Sequence, residues 1–207
     1  GKAEPVCRDF IEDFSGDVFS AHYNFLRNPD RKNYVRMPEE KKLLLKGTQI
    51  TLNDQDSPTW VGVRQKGFDT ITTLRLRPLG QVQGMRVGLS AYYNHDYHYE
   101  IYLTRELDRW KVCLAKHVHD IFAVTSQMET ELSADGSLWL RIVTDRENYT
   151  FLFSTDGENY VKLGTGLTVG LCTESTRTMT FTGTYLAMFA ERADVEVSGF
   201  EIKVLDM

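Results

Sequence analysis

The chain has 207 residues, of which 42% are hydrophobic and 26% charged, with a formal net charge of −5. That balance supports one sizeable core and lies outside the range of disordered chains. Basic residues are scattered rather than gathered into a patch, so no footprint for nucleic acid is evident, and no apolar run is long enough to cross a bilayer.

Five prolines and no Pro- or Gly-rich linker argue for one domain over residues 1–207, with residues 1–8 as a linker or strand lead-in. Cys7, Cys113 and Cys172 are odd in number and far apart. They read as isolated buried thiols, not a disulfide framework or zinc site, and favour a reducing, cytoplasmic compartment over secretion.

Along the chain, period-two alternation recurs. The segment 41–46 comes nearest to a helical stripe, and Gly47 ends it too soon. Leu74-Arg75-Leu76-Arg77 alternates and then meets a reversal at Pro78-Leu79-Gly80. Met85 to Ala91 alternates again before a reversal at Asn94-His95-Asp96. Tyr97 to Thr104 places apolar and aromatic residues on odd positions; Trp110 to Leu114 continues the pattern on even ones. Asp135-Gly136 and Asp156-Gly157 supply the positive φ angles of tight hairpins around Leu138–Ile142 and the run ending at Ser154. In the last strand Val195 and Val197 are odd, whereas Phe200, Ile202 and Val204 are even. A β-bulge at Ser198-Gly199 would keep all five facing the core. Roughly a dozen short strands without crossover helices predict an all-β sandwich of two antiparallel sheets, a jelly roll.

Five segments, in order, resemble one family. They are Glu12-Asp13-Phe14 with Phe25-Leu26-Arg27-Asn28-Pro29; Val61-Gly62-Val63-Arg64-Gln65; Gly88-Leu89 with Tyr92-Tyr93-Asn94; Tyr149 to Gly157; and Phe181-Thr182-Gly183 with Ala193-Asp194 and Phe200. Together they resemble the concanavalin A-like C-terminal domain of family 43 glycoside hydrolases of the β-xylosidase type. Tyr23 stands near the family's tryptophan, and Val63 replaces the first arginine of its "RRQ" strand. The resemblance implies a non-catalytic domain packed on a separate β-propeller that carries the catalytic carboxylates. It also implies a loop phenylalanine, here Phe181, lent to the substrate pocket as an apolar wall.

The candidate site residues divide by chemistry. Paired carboxylates, Glu12 with Asp13 and Glu129 with Glu131, read as surface groups, not as the acid and base of a glycosidase. His117 and His119 point outward around Val118 and read as a solvated strand face. Tyr92, Glu100, Tyr102 and Arg75 share the polar parity of their strands, and Arg64 joins them as a possible sugar-stacking or propeller-facing surface. Asp13 on the opening strand and Asp194 on the closing one could hold a structural calcium of the kind lectin-like sandwiches use, or be ordinary surface aspartates. Two functions follow. The first is an accessory domain of a xylosidase or arabinofuranosidase, with a propeller partner in cis or trans and xylo-oligosaccharide or arabinoxylan as substrate. The second is a free-standing carbohydrate-binding module or lectin for cell-wall polysaccharide.

Overall fold

In a computed structural model the structure describes residues 8–171 and 183–205. Phe181, Cys7 and Cys172 lie outside them. The strands are β1 (Phe10–Glu12), β2 (Tyr23–Phe25), β3 (Tyr34–Met37), β4 (Lys42–Lys46), β5 (Thr59–Arg64), β6 (Thr70–Leu79), β7 (Arg86–Asn94), β8 (Tyr97–Glu106), β9 (Arg109–Val118), β10 (Ile121–Thr130), β11 (Leu138–Thr144), β12 (Asn148–Ser154), β13 (Val161–Leu167), β14 (Tyr185–Glu191) and β15 (Asp194–Val204). Among the described residues the helices are short 3-10 turns only.

Two antiparallel sheets form a sandwich, as the alternation requires. The first sheet runs β13-β12-β11-β6-β15-β4-β3, with β1 also paired to β15; the second runs β10-β9-β8-β7-β14-β5-β2. Leu74, Leu76, Leu140, Ile142, Phe151 and Phe200 of the first sheet meet Val87, Leu89, Ile101, Leu114, Leu186 and Met188 of the second in one buried cluster. Each such side chain contributes about 1.5–3 kcal/mol by leaving water. That shared interior is why every strand must keep its parity.

The last strand keeps it with the predicted bulge. The pairing of β15 with β6 shifts between Val197 and Gly199. Val195, Val197, Phe200 and Ile202 are consequently all buried, and Val204 is half-buried. Gly157 adopts φ of 79° in the β12–β13 hairpin, whereas Gly136, with φ of 80°, lies in the crossing from β10 of one sheet to β11 of the other and makes a tight turn without the expected hairpin. The segment nearest to a helical stripe proves to be β4, whose Leu43 and Leu45 point into the core. Gly47 ends it because a Cβ there would stand 2.3 Å from the Ala193 carbonyl oxygen.

Glu12 closes the opening segment from inside. Its carboxylate accepts from Phe14 N at 2.7 Å and Tyr23 Oη at 3.2 Å, and pairs with Arg36 Nη2 at 3.2 Å. A carboxylate so occupied is a structural clasp. Tyr23 itself sits edge-on to Phe10 and Phe19, at 5.2 and 5.3 Å between centroids.

Candidate functional site

One end of the sandwich gathers the loops. Gln65 N donates to Thr184 O at 3.0 Å, Thr144 Oγ1 to Phe68 O at 2.6 Å, His119 N to Asp96 O at 3.0 Å and Thr168 N to Glu147 O at 2.9 Å. These bonds tie the ends of β5, β9, β11 and β13 to one rim. A cavity of about 360 Å³ opens there, lined by Gln65, Phe68, Tyr93, Tyr149, Leu171 and Thr184. Gln65 organises it: its Oε1 accepts from Tyr149 Oη at 2.7 Å and its Nε2 donates to Gly67 O at 2.8 Å. Phe68, Ile121, Leu167 and Val169 are exposed on the same rim. The segment carrying Phe181, itself outside the described residues, leaves and re-enters this rim at Leu171 and Gly183.

The outward face of the second sheet holds a different arrangement. Register places Phe122, His117, His98, Tyr92, Tyr185 and Arg64 in one cross-strand row. Glu100 and Tyr102 follow on the same face of β8. Arg64 thus shares a face with Tyr92, Glu100 and Tyr102. Residues 47–58 cross this face as a strap: Leu52 is fully buried in a second cluster with Trp60, Tyr92, Tyr102 and Phe189. The strap's contacts are polar as well, with Leu52 N donating to Glu191 Oε1 at 3.0 Å and His117 Nδ1 lying 2.6 Å from Asn53 Oδ1.

Beneath it lies a cluster of charges. Arg86 pairs with Glu100 and reaches toward Glu191 at 3.7 Å, while His98 Nε2 meets Glu100 Oε1 at 2.9 Å. Its guanidinium stacks on Tyr102 and Phe122 at 4.3 and 5.1 Å. Burial pushes the Glu100 carboxyl upward, but the Arg86 guanidinium and His98 outweigh it and hold the group below the usual carboxylate range. At Glu191 burial and repulsion from Glu100 prevail over Arg86, and its pKa is pushed up to about 8. Burial and the neighbouring His98 lower His117. Such a cluster is costly to break and closed to a substrate. A sugar or partner would reach Tyr92, Glu100 and Tyr102 only by displacing the strap.

Several expected groupings are corrected. Arg75 has the anticipated parity but stands in β6, on the other sheet, paired with Asp135 Oδ2 at 2.5 Å. His117 is buried beside His98, not solvated, whereas His119 lies in the turn beyond β9 with φ 68°. Asp13 follows the Glu12↔Phe200 pair, while Asp194 begins β15 six residues from Phe200. At ~3.3 Å per strand residue the register keeps the two aspartates well apart. Asp13 accepts from Ser15 N and Oγ. The register therefore does not bring the two aspartates to one site, and among the described residues no three or more His, Cys, Asp or Glu side chains are grouped so as to hold a metal ion. Glu129 is bound by Arg109 at 2.9 Å.

The Arg86–Glu191 pair and His98 carry no motif. Their signal is indirect: β7 and β8 bear aromatics on both parities, Tyr92 beside Tyr93 and Tyr99 beside Tyr102, which marks strands covered on both faces.

Residues 11–199 match the family described as the β-xylosidase C-terminal concanavalin A-like domain. The non-reducing end α-L-arabinofuranosidase BoGH43B of Bacteroides ovatus is 26% identical over 179 residues, which are 86% of this chain and 33% of that protein. The BlXynB protein of Bacillus licheniformis superposes with a TM-score of 0.87 at 21% identity, covering 94% of this chain and 39% of that one. A xylan β-1,4-xylosidase from Bacillus halodurans C-125 gives 0.85 at 20% identity, with the same coverage. At these identities the superpositions establish a shared fold. The chain spans between 33% and 39% of the length of these relatives.

Proposed function

The chain belongs to the β-xylosidase C-terminal concanavalin A-like domain family, and from that membership we propose that it acts as the non-catalytic accessory domain of a family 43 glycosidase. The enzyme would cleave xylo-oligosaccharides or arabinoxylan, with the sandwich seated against a β-propeller catalytic domain in cis or in trans. The observation that carries the reading is the loop rim. Phe68 lines the cavity together with Leu171 and Gly183, where the segment bearing Phe181 leaves and returns, and Ile121, Leu167 and Val169 are exposed at the ends of β10 and β13 on the same side of the sandwich. An apolar rim of this kind suits burial against a neighbour.

The chemistry of the described residues supports an accessory role. Glu100 and Glu191 are sealed beneath the strap, and Glu12 is clasped by Arg36 and Tyr23. A glycosidase needs two carboxyls flanking an open bond. Phe181, which the family resemblance singles out, would form one wall of the partner's pocket, excluding water from the bond being cleaved without moving a proton.

The test is nitrophenyl xyloside hydrolysis by the chain alone and co-expressed with a cognate propeller. No turnover alone, turnover in the complex and a weaker complex with Phe181→Ala are expected. Turnover by the isolated chain would overturn the reading.

A second reading, a free-standing carbohydrate-binding module, rests on the cavity at the rim and its aromatic lining of Phe68, Tyr93 and Tyr149. Calorimetry with xylotriose decides it. Saturable binding lost in Phe68→Ala supports it, and no heat at millimolar sugar removes it.

A further inference from the structure

The outer face of the first sheet carries a groove that lies apart from both the loop rim and the strap. Register aligns Trp139 of β11, Arg75 of β6 and Gly199 of β15 in one cross-strand row. Arg141, Thr73, Glu201 and Ile11 form the next row. Tyr160, beyond the end of β12, leans over that second row, its ring centroid 3.8 Å from the Arg141 guanidinium carbon. The groove between them measures about 270 Å³.

Its walls are held rather than loose. The Arg75 guanidinium lies 4.9 Å from the Trp139 ring and is anchored by Asp135 at 2.5 Å. Arg141 Nε donates to Thr73 Oγ1 at 3.0 Å. Each half-buried aromatic ring is thus braced by a guanidinium that is itself tethered. A surface fixed in this way loses little conformational freedom when a ligand arrives.

Gly199 forms the floor. Its φ is not in the left-handed region, and a Cβ built there would meet nothing within 4 Å. Neither backbone conformation nor crowding calls for glycine at this bulge. What its missing side chain leaves is open space between Arg75 and the first residues of β1.

We infer that this groove binds one pentopyranosyl unit of a xylo-oligosaccharide. Arg75 and Gly157 already pack on Trp139, and Arg141 on Tyr160, so the rings offer a sugar's C–H groups their remaining apolar surface, and the guanidinium and carboxylate groups beside them serve its hydroxyls. Arg75 is already paired with Asp135, and Glu201 lines the groove with Arg141, so the groove suits a neutral ligand rather than an ion. Its volume lies just under the ~300–1,000 Å³ of drug-sized pockets, which fits a single ring and not a whole chain. Trp139 stands five residues along β11 from Thr144, the residue bonded to Phe68 at the loop rim. At ~3.4 Å per residue that is ~17 Å, so a sugar here leaves the rim free for a partner. The choice of sugar rests on the proposed function; the site does not.

Titration of the full chain with xylotriose, read by calorimetry and by Trp fluorescence, tests the inference. Saturable millimolar binding is expected. Trp139→Ala should weaken it by about tenfold or more. Gly199→Leu should abolish it with an unchanged melting temperature, because its side chain enters empty space, and this variant decides the matter where Trp139→Ala fails to fold. Gly199→Leu should still support nitrophenyl xyloside turnover with a cognate propeller. Absence of xylotriose binding, or binding that survives Gly199→Leu, overturns the groove. Binding lost instead in Phe68→Ala overturns it as well, by moving the sugar to the rim. Loss of turnover on co-expression would count against the accessory role and leave the groove standing.

Discussion

The backbone N–H of Leu52 donates to the Glu191 carboxylate at 3.0 Å, joining residues 139 apart in the chain. One bond therefore ties the strap to the end of β14, beneath which the Arg86–Glu100 pair lies. Glu191 is the group with the strongest reason to stay protonated, because burial and Glu100 push its pKa up to about 8 from 4.5. A carboxyl whose folded pKa lies above its unfolded one favours the folded state most fully below the unfolded value. That contribution disappears as pH rises through the folded value. Stability should therefore fall between about pH 4.5 and about pH 8 by on the order of a few kcal/mol from this residue. Glu191→Gln keeps an acceptor for Leu52 and removes the titration. Urea midpoints at pH 6 and pH 9 should differ in the parent and converge in the variant; equal slopes in both would refute the assignment.

Leu52 is the strap's apolar anchor, fully buried against Trp60 and Phe189. Leu52→Ala removes that anchor and should destabilise by about 2–5 kcal/mol. Opening should also be local, since residues 47–58 form no strand except an isolated bridge from Thr48 to Glu191. Hydrogen exchange should quicken in the strap before it quickens in β7 or β8. Uniform acceleration across the sandwich would mean that the strap does not open on its own.

Much of the sandwich was legible because alternation is a local signal. The bulge at Ser198-Gly199 followed from a parity change within ten residues, and the hairpin at Gly157 from an adjacent Asp-Gly pair; the same pair at Gly136 marks a turn but not that β10 and β11 join different sheets. The strap was not legible. Parity says that Tyr92, Glu100 and Tyr102 share a face, but not that a loop 40 residues upstream of Tyr92 covers it. Arg75 shows the same limit: its parity was right, yet which sheet β6 joins depends on pairing with β11 and β15. Asp13 and Asp194 lie on elements that do belong together, and only the register of β1 on β15 shows that they miss each other.

The buried ions make a sharper prediction. Arg86→Ala leaves Glu100 fully buried and without its guanidinium, a loss of about 3–5 kcal/mol. Replacing both, Arg86→Met with Glu100→Leu, should be less destabilising than Arg86→Ala alone, because no unpaired charge remains. Urea denaturation of the single and double variants measures this. Additive losses would show that the two side chains do not act as a pair.

The rim can be probed without touching the core. Phe68 is exposed, and its backbone carbonyl, not its ring, accepts the Thr144 hydroxyl at 2.6 Å. Phe68→Asp should therefore leave the melting temperature within a degree or two of the parent, since surface changes away from caps and ion pairs shift stability by about 0.5 kcal/mol or less. Against a propeller, however, the new carboxylate would be buried unpaired in an apolar contact, and association should weaken by about 1–3 kcal/mol, roughly five- to 150-fold. Co-purification with the cognate propeller and turnover of nitrophenyl xyloside read this directly. Complexes as tight and as active as the parent would show that the partner docks elsewhere, and the exposed phenylalanine, isoleucine and valine of the rim would then need another occupant.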